Sequence, residues 1–385
     1  MPSSDPSSFA PFLSVLQSFD PAIGPVLDNL GPAVPPFLVA LVLGGVLSVA
    51  AIPASHLTGM LKVPRAERDI HRRPVPLLGG AVLYCAFVIS ALAFAPATLE
   101  RNVLIGLGAI VTALFLVDDR FQLPAWLKLV FQTLPALVAV IAFGWTFQIT
   151  YLTLPVVGLV HTGWLAAPLS VVWLLGMENT VNLLDGLDGL AAGVVAIVAL
   201  TLMIAAASIG QHQVVLLAAG LAGACGGFLL LNFHPARIFM GDSGAHFLGF
   251  SLGLLSIMGV AKVAVVFALA VPMLALGVPI ADTAWSIVRR QRQGVSFAHA
   301  DARHLHHRLL ESGLTQRETC LVFYGAAGIL GAVGLTVFGH RKILLVAIVL
   351  IVVVLSTALA ERLQQVRRSL GPALLRAVLR SRAAR

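Results

Sequence analysis

The run Asn179-Thr180-Val181-Asn182-Leu183-Leu184-Asp185-Gly186-Leu187-Asp188-Gly189 joins two apolar stretches, roughly 163–178 and 190–208. It sets an amide or carboxylate at every third position in a chain whose charged fraction is 11%. Three residues advance a helix by about 300°, so each rung drifts by about 60°. Asn179 and Asp188 would face opposite sides of a straight helix, and they converge only where the helix ends or bends. Gly186 and Gly189 permit a bend. Asn179 and Asn182 are therefore expected on the last turn of one span, with Asp185 and Asp188 on a glycine-bearing turn into the next. Helix capping accounts for one or two such residues, hardly four. Polar groups beside a hydrocarbon zone usually serve function.

The surrounding chain is 58% hydrophobic, with a mean hydropathy of +0.95. Many apolar stretches approach spanning length, which predicts an all-α integral membrane protein. The spans expected are roughly 35–55, 79–97, 103–117, 126–143, 163–178, 190–208, 214–232, 246–260, 264–281, 322–338 and 342–360, about 11 transmembrane helices. Segment 145–162 is too broken by Pro and Gly to span and reads as a short extracytoplasmic hairpin. Of the 25 Lys and Arg, 21 fall in loops of one side or in the C-terminal tail, and four (Arg101, Lys262, Arg341, Lys342) on the other. The positive-inside bias puts the N-terminus outside and the C-terminus in the cytoplasm. The division expected is an extracytoplasmic segment 1–34, a polytopic membrane domain 35–360 and a basic cytoplasmic tail 361–385. Its cytoplasmic loops fall at about 56–78, 118–125, 179–189, 233–245 and 282–320.

The net charge of +8 is better explained by topology-fixing loops than by nucleic acid. The three cysteines make no disulfide framework, and Cys85 and Cys225 read as packing residues. The N-terminal MPSSDPSSFAPF lacks a basic n-region, so no cleavable signal peptide is expected. The tail mixes Leu and Val with Arg at near-helical spacing. Lying on an anionic leaflet and ending as a solvated basic stretch are both open to it.

Four more polar clusters fall on the same side as the opening run. His71-Arg72-Arg73-Pro74 lies in a proline-stiffened loop before Gly79-Gly80, where arginines suit phosphate, although basic juxtamembrane loops are usually only topology signals. Asp118-Asp119 ends the third span, with Lys128 one to two turns into the next, and adjacent acids there can bind a divalent cation or act as a base. Asn232-Phe-His-Pro-Ala-Arg-Ile-Phe239-Met-Gly-Asp242-Ser243-Gly244 offers an acid and free backbone N–H groups at a helix start, which suits a phosphate–metal pair, and a plain N-cap is the bland reading. Arg289-Arg290 and His304-Leu-His306-His307 lie in the last long loop, where the arginine-rich flank favours anions over zinc.

In this order the clusters resemble the polyprenyl-phosphate N-acetylhexosamine-1-phosphate transferase superfamily, of the glycosyltransferase family 4 type. The likeness runs from about residue 56 to about 320. The resemblance implies catalytic roles for Asp118, Asp119, Asp185 and Asp188, and Mg²⁺ (or Mn²⁺) ligation by Asp242. It implies substrate-binding roles for Arg72, Lys128, Asn182, Asn232, Phe239, Arg289, His304, His306 and His307. The His-x-His-His pattern matches the GlcNAc-1-phosphate branch; the phospho-MurNAc-pentapeptide branch carries three consecutive His. Two positions depart from the family pattern. Lys62 stands where relatives have Asp before Pro64, and Gln122 where they often have Asp or Asn.

The reaction implied is transfer of GlcNAc-1-phosphate from a UDP-N-acetylhexosamine to polyprenyl (undecaprenyl) phosphate in the bacterial inner membrane. It releases UMP and opens an envelope polysaccharide such as a lipopolysaccharide or teichoic acid. Direct attack and a covalent phospho-Asp intermediate both remain open. The partners implied are the two substrates and the bilayer, with a homodimer allowed and no nucleic acid. The rival class is a transporter, which predicts ionisable residues mid-span and broken helices.

Overall fold

The computed structural model describes residues 23–63, 74–154, 158–259, 309–310 and 313–336. Its helices are α1 (Ile23–Leu30), α2 (Val34–Thr58), α3 (Gly79–Phe94), α4 (Leu99–Phe121) and α5 (Ala125–Leu137), followed by α6 (Ala166–Leu184), α7 (Leu190–Ser208), α8 (His212–Asn232), α9 (Gly241–Met258) and α10 (Gln316–Leu335). Two small antiparallel strand pairs and a few short 3₁₀ and π turns complete the described elements. Strands β1 (Leu61–Lys62) and β2 (Val75–Pro76) pair antiparallel, as do β3 (Tyr151–Leu154) and β4 (Gly158–His161).

Six helical stretches among the described residues are long and apolar enough to cross a bilayer: Asp28–Thr58, Leu99–Phe121, Ala125–Ala142, Leu190–Ser208, His212–Asn232 and Gln316–Leu335. Helix α3 is apolar but has only 16 residues. The chain is thus a multi-pass helical membrane protein. The expected spans 264–281 and 342–360 lie outside the described residues. The hairpin expected within 145–162 is present as β3–β4.

Several boundaries differ from the sequence expectation. Helix α4 runs through Asp118, Asp119 and Phe121, so the loop expected at 118–125 shrinks to the few residues before α5. Helix α6 carries Asn179 and Asn182, so the loop expected at 179–189 begins only at Asp185. Helix α9 begins at Gly241, five residues before the expected span, so Asp242 sits in its first turn. Within the loop expected at 56–78, α2 extends to Thr58 and β1 pairs with β2. At α4, α6 and α9 a polar residue at a helix end is compatible with helical backbone, while hydropathy registers only the apolar part.

Helix α9 is the axis of the bundle. All of its residues except Asp242 and Met258 are buried, because α3, α4 and α6 pack around it. A helix apolar on all sides belongs inside a bundle. Helix α8 packs against α2, α3 and α7, and α10 lies on α7. Valines and leucines on the outer face of α2, Leu38, Val42, Val46 and Val49 among them, are exposed, as a lipid-facing surface requires. Helix α5 contains Pro135 and passes into a π turn over Val138–Ala142; proline removes a backbone donor and loosens the ladder.

The chain reversals bring the C-terminal ends of α4, α6 and α8 to one end of the bundle, together with the N-terminal ends of α5, α7 and α9. Every acidic motif of the sequence lies at one of these ends.

Candidate active site

Asp118 is 2% exposed. Its Oδ2 lies 2.6 Å from Nζ of Lys128 on α5, and its Oδ1 accepts a hydrogen bond of 2.9 Å from the Leu123 amide. The same ammonium lies 2.6 Å from Oδ2 of Asp242 on α9. One cation thus joins carboxylates from two helices. The Leu123 contact also explains how α4 stops. Gln122 takes the left-handed conformation, φ +53°, and donates its amide to the Asp118 carbonyl at 2.7 Å. Asn and Asp adopt this conformation more readily than Gln.

Asp119 points elsewhere, as neighbouring helical residues do. Its carboxylate accepts from the amides of Asp242 (2.8 Å) and Ser243 (3.2 Å) and from the Ser243 hydroxyl (2.6 Å). Helix α9 has no side-chain cap of its own at Met240. Asp119 supplies that cap from α4 and sets negative charge against the positive end of the helix. Gly241, at φ +70°, makes room, because a Cβ there would fall on the Asp119 carboxylate. Asp119 therefore fixes the turn that carries Asp242.

The opening run splits. Asn179 donates Nδ2 to Gln132 of α5 (2.9 Å) and to the Leu175 carbonyl (2.7 Å). Asp188, nine residues on, lies 2.8 Å from Nδ1 of His234 and accepts from the Ala236 amide at 3.1 Å. The glycine-bearing bend is present, yet the two ends of the run take different partners. Asn182 lies half-buried on the last turn of α6, and Asp185 caps that helix. Burial pushes the Asp185 carboxyl well above the usual carboxylate range. Lys62 opposes that rise, and the charges of Asp242, Asp119 and Asp188 add to it. Asp185 is thus within electrostatic reach of every acidic motif.

Asn232 is 2% exposed and bridges two backbone segments. Its Oδ1 accepts from the Gly189 amide (3.1 Å) and its Nδ2 donates to the Ile238 carbonyl (2.8 Å). It holds the acid turn to the 233–240 loop. That loop is locked in turn to the segment before α3: the Phe239 amide donates to Pro76 (2.8 Å), and the Phe239 carbonyl accepts from Gly79 (3.1 Å). The Phe239 side chain is half-buried. Arg72, Arg289, His304, His306 and His307 lie outside the described residues.

Sequence reasoning passed over several contributors. His234 and Ser243 stand inside motifs it quoted, but nothing local says that they bind Asp188 and Asp119. Helix α10 reaches the acid turn through Cys320 Sγ to the Asp188 carbonyl (3.4 Å) and Tyr324 Oη to the Gly189 carbonyl (2.6 Å), while Arg317 Nε donates to the His234 carbonyl (2.9 Å). Glu178 and His246, ionisable residues within helices, had a readable signal in their burial among apolar neighbours.

Among the described residues no three His, Cys, Asp or Glu converge to hold a metal ion. The donors that face each other are carboxylate oxygens, Asp118 and Asp242, with a cation already between them. Hard oxygen donors in a pair fit Mg²⁺, which is commonly bound by one or two carboxylates and completed by water and substrate phosphate.

Comparison with known proteins bears on what this arrangement does. Residues 102–260 match the model for Glycosyl transferase family 4. The chain is 38% identical to the probable undecaprenyl-phosphate N-acetylglucosaminyl 1-phosphate transferase of Bacillus subtilis over 263 residues, 67% of this chain and 72% of that one. It is 34% identical to the decaprenyl-phosphate N-acetylglucosaminephosphotransferase of Mycolicibacterium smegmatis over 381 residues, 88% of this chain and 92% of that one. A phospho-N-acetylmuramoyl-pentapeptide-transferase of Moorella thermoacetica is 35% identical over 330 residues, 80% of this chain and 98% of the relative.

Proposed function

The chain belongs to glycosyl transferase family 4, and from that premise we propose that it transfers N-acetylglucosamine-1-phosphate from UDP-GlcNAc to a polyprenyl phosphate. The products are polyprenyl-diphosphate-GlcNAc and UMP. The observation that carries the reading is the junction at one end of the bundle, where Asp118, Lys128 and Asp242 meet at 2.6 Å beside the Asp185 turn. It joins carboxylates that suit a magnesium diphosphate to a cation that suits phosphate, at the edge of the apolar helices where a lipid phosphate can arrive.

An oxygen of the lipid phosphate attacks the β-phosphorus of the nucleotide sugar. The new P–O bond forms as the bond from that phosphorus to the oxygen bridging the α-phosphate breaks, and UMP leaves with the electron pair. The second pKa of a phosphate monoester is about 6, so the nucleophile is largely ionised at neutral pH. The larger task is to bring two anions together and to stabilise charge on the leaving group. Asp242, with Asp118, would hold Mg²⁺, which when bound neutralises diphosphate charge. Lys128 offers its ammonium to phosphate oxygens. Asp119 keeps Asp242 in place through the cap on α9. Asp118, with Asp185 at the same end of the bundle, would orient the lipid phosphate or take a proton that it still carries. The arginines and histidines of the last loop, Arg289, His304, His306 and His307, would neutralise the remaining charge. The active end would face the cytoplasm in a bacterial inner membrane, where nucleotide sugars are available.

The second reading is phospho-MurNAc-pentapeptide transfer, favoured by the likeness to the Moorella thermoacetica relative. The His304-Leu-His306-His307 pattern favours the GlcNAc donor. The test is UMP release by the detergent-purified chain from a panel of UDP-sugars, with polyprenyl phosphate and Mg²⁺. UDP-GlcNAc should be the donor used fastest. Turnover of the UDP-MurNAc-pentapeptide instead would move the chain to the second reading, and no UMP from any donor would defeat both.

A further inference from the structure

One side chain touches all three helices that carry the acids. His246 stands one turn after Asp242 on α9, on the same helical face. Its ring stacks on Phe115 of α4, with centroids 3.7 Å apart and planes 11° from parallel. Phe115 lies one turn before Asp118 and Asp119. Nδ1 of His246 is 3.2 Å from Oε2 of Glu178 on α6, two turns before Asp185. The backbones are close at this level: a Cβ at Gly249 would lie 2.5 Å from the Glu178 Cα.

Glu178 and His246 are both 0% exposed. Glu178 Oε1 and His246 Nε2 have no hydrogen-bond partner among the described residues. Two ionisable groups with two unpaired polar atoms are an unfavourable way to fill a helix junction, and apolar side chains of similar volume commonly do it with equal or better stability. The polar pair supplies geometry instead. A hydrogen bond fixes distance and angle, and a stacked ring fixes rotation, whereas aliphatic contacts permit sliding.

We propose that His246, held by Glu178, is a positioning residue that fixes the register of α4, α6 and α9, and so sets the spacing of Asp118, Asp185 and Asp242 for transfer. The inference rests on the phosphosugar-transfer reading. A misplacement of about 1 Å at a reacting centre can cost about 100-fold in rate, so a junction that limits sliding has a catalytic effect without touching substrate.

The test uses the full chain in detergent, with kcat and KM for UDP-GlcNAc and for polyprenyl phosphate, and with thermal unfolding measured in parallel. The double variant Glu178→Leu, His246→Leu should unfold within a few degrees of the wild type or above it. Its kcat should fall by about 10- to 100-fold, with both KM values within about threefold. A folded double variant with wild-type kcat overturns the inference. Should that variant fail to fold, Phe115→Leu removes the stack and leaves the pair. It should lower kcat by about 3- to 10-fold, and unchanged kcat again overturns the inference. Glu178→Gln keeps an acceptor for the imidazole N–H and should retain at least about half of kcat. A loss as deep as that of the double variant would mean that the carboxylate charge matters and not the bond. No UMP from the wild type with any donor removes the transfer reading itself, which is a different result from an active wild type with an equally active double variant.

Discussion

The two acidic centres at the acid-bearing end of the bundle are held by different physics. At the junction of α4, α5 and α9, charge holds charge: the Lys128 ammonium lies between Asp118 and Asp242. At the turn between α6 and α7, Asp188 and Gly189 are held mainly through the backbone and by an imidazole. Their partners are Asn232, His234, the Ala236 amide, Cys320 and Tyr324. The first centre can exchange partners when an anionic substrate or a divalent cation arrives, because its contacts are ionic and converge on one flexible side chain. The second is anchored from three separate elements and keeps its shape. A transferase needs both: a centre that rearranges around the diphosphate and a frame against which that rearrangement is measured.

Breaking the charged centre should have the largest effect. Asp118→Asn and Asp242→Asn keep side-chain volume and remove a charge each, so each should lower transfer of radiolabel from UDP-GlcNAc by about 1,000-fold or more while the chain stays folded. Near-normal activity in either would remove that residue from the reaction. Lys128→Met comes next. It leaves two carboxylates facing each other without their cation, and should reduce kcat by about 100-fold and destabilise the chain by about 1–3 kcal/mol, read by thermal unfolding at pH 7. The smallest effect belongs to the anchored turn. Tyr324→Phe removes one hydrogen bond to Gly189, about 0.5–1.5 kcal/mol, and should leave kcat within about threefold. A loss in Tyr324→Phe as deep as that in Lys128→Met would mean that the turn is no passive frame, and the contrast between the two centres would fail.

The legible part of this protein was the part written locally. The expected span 190–208 coincides with α7, and the 145–162 hairpin is present, because hydropathy and turn residues act over a few neighbouring positions. The bend in the Asn179–Gly189 run was legible from helical drift and glycine. What the bend brings together was not: Asn179 turns to Gln132, and Asp188 to His234. Asp118 and Asp119, adjacent in sequence, were read alike, yet one pairs with an ammonium and the other caps a helix more than a hundred residues away. Asn232 reads in sequence as one more polar position of a substrate site, and in the fold it ties two backbone segments.

By itself the sequence determined a helical membrane chain, a set of acids at helix ends and the family to which they belong. Each follows from hydrophobic periodicity, charge placement and short motifs that need no distant partner. Only the tertiary structure decided which acid meets which cation, which carboxylate serves a helix end, and that Glu178 and His246 join the three acid-bearing helices. Among these contacts, Glu178–His246, Lys128–Asp242 and Asp119–Ser243 link residues 68, 114 and 124 positions apart, and they exist because α9, buried on all sides, brings its neighbours' ends to one place.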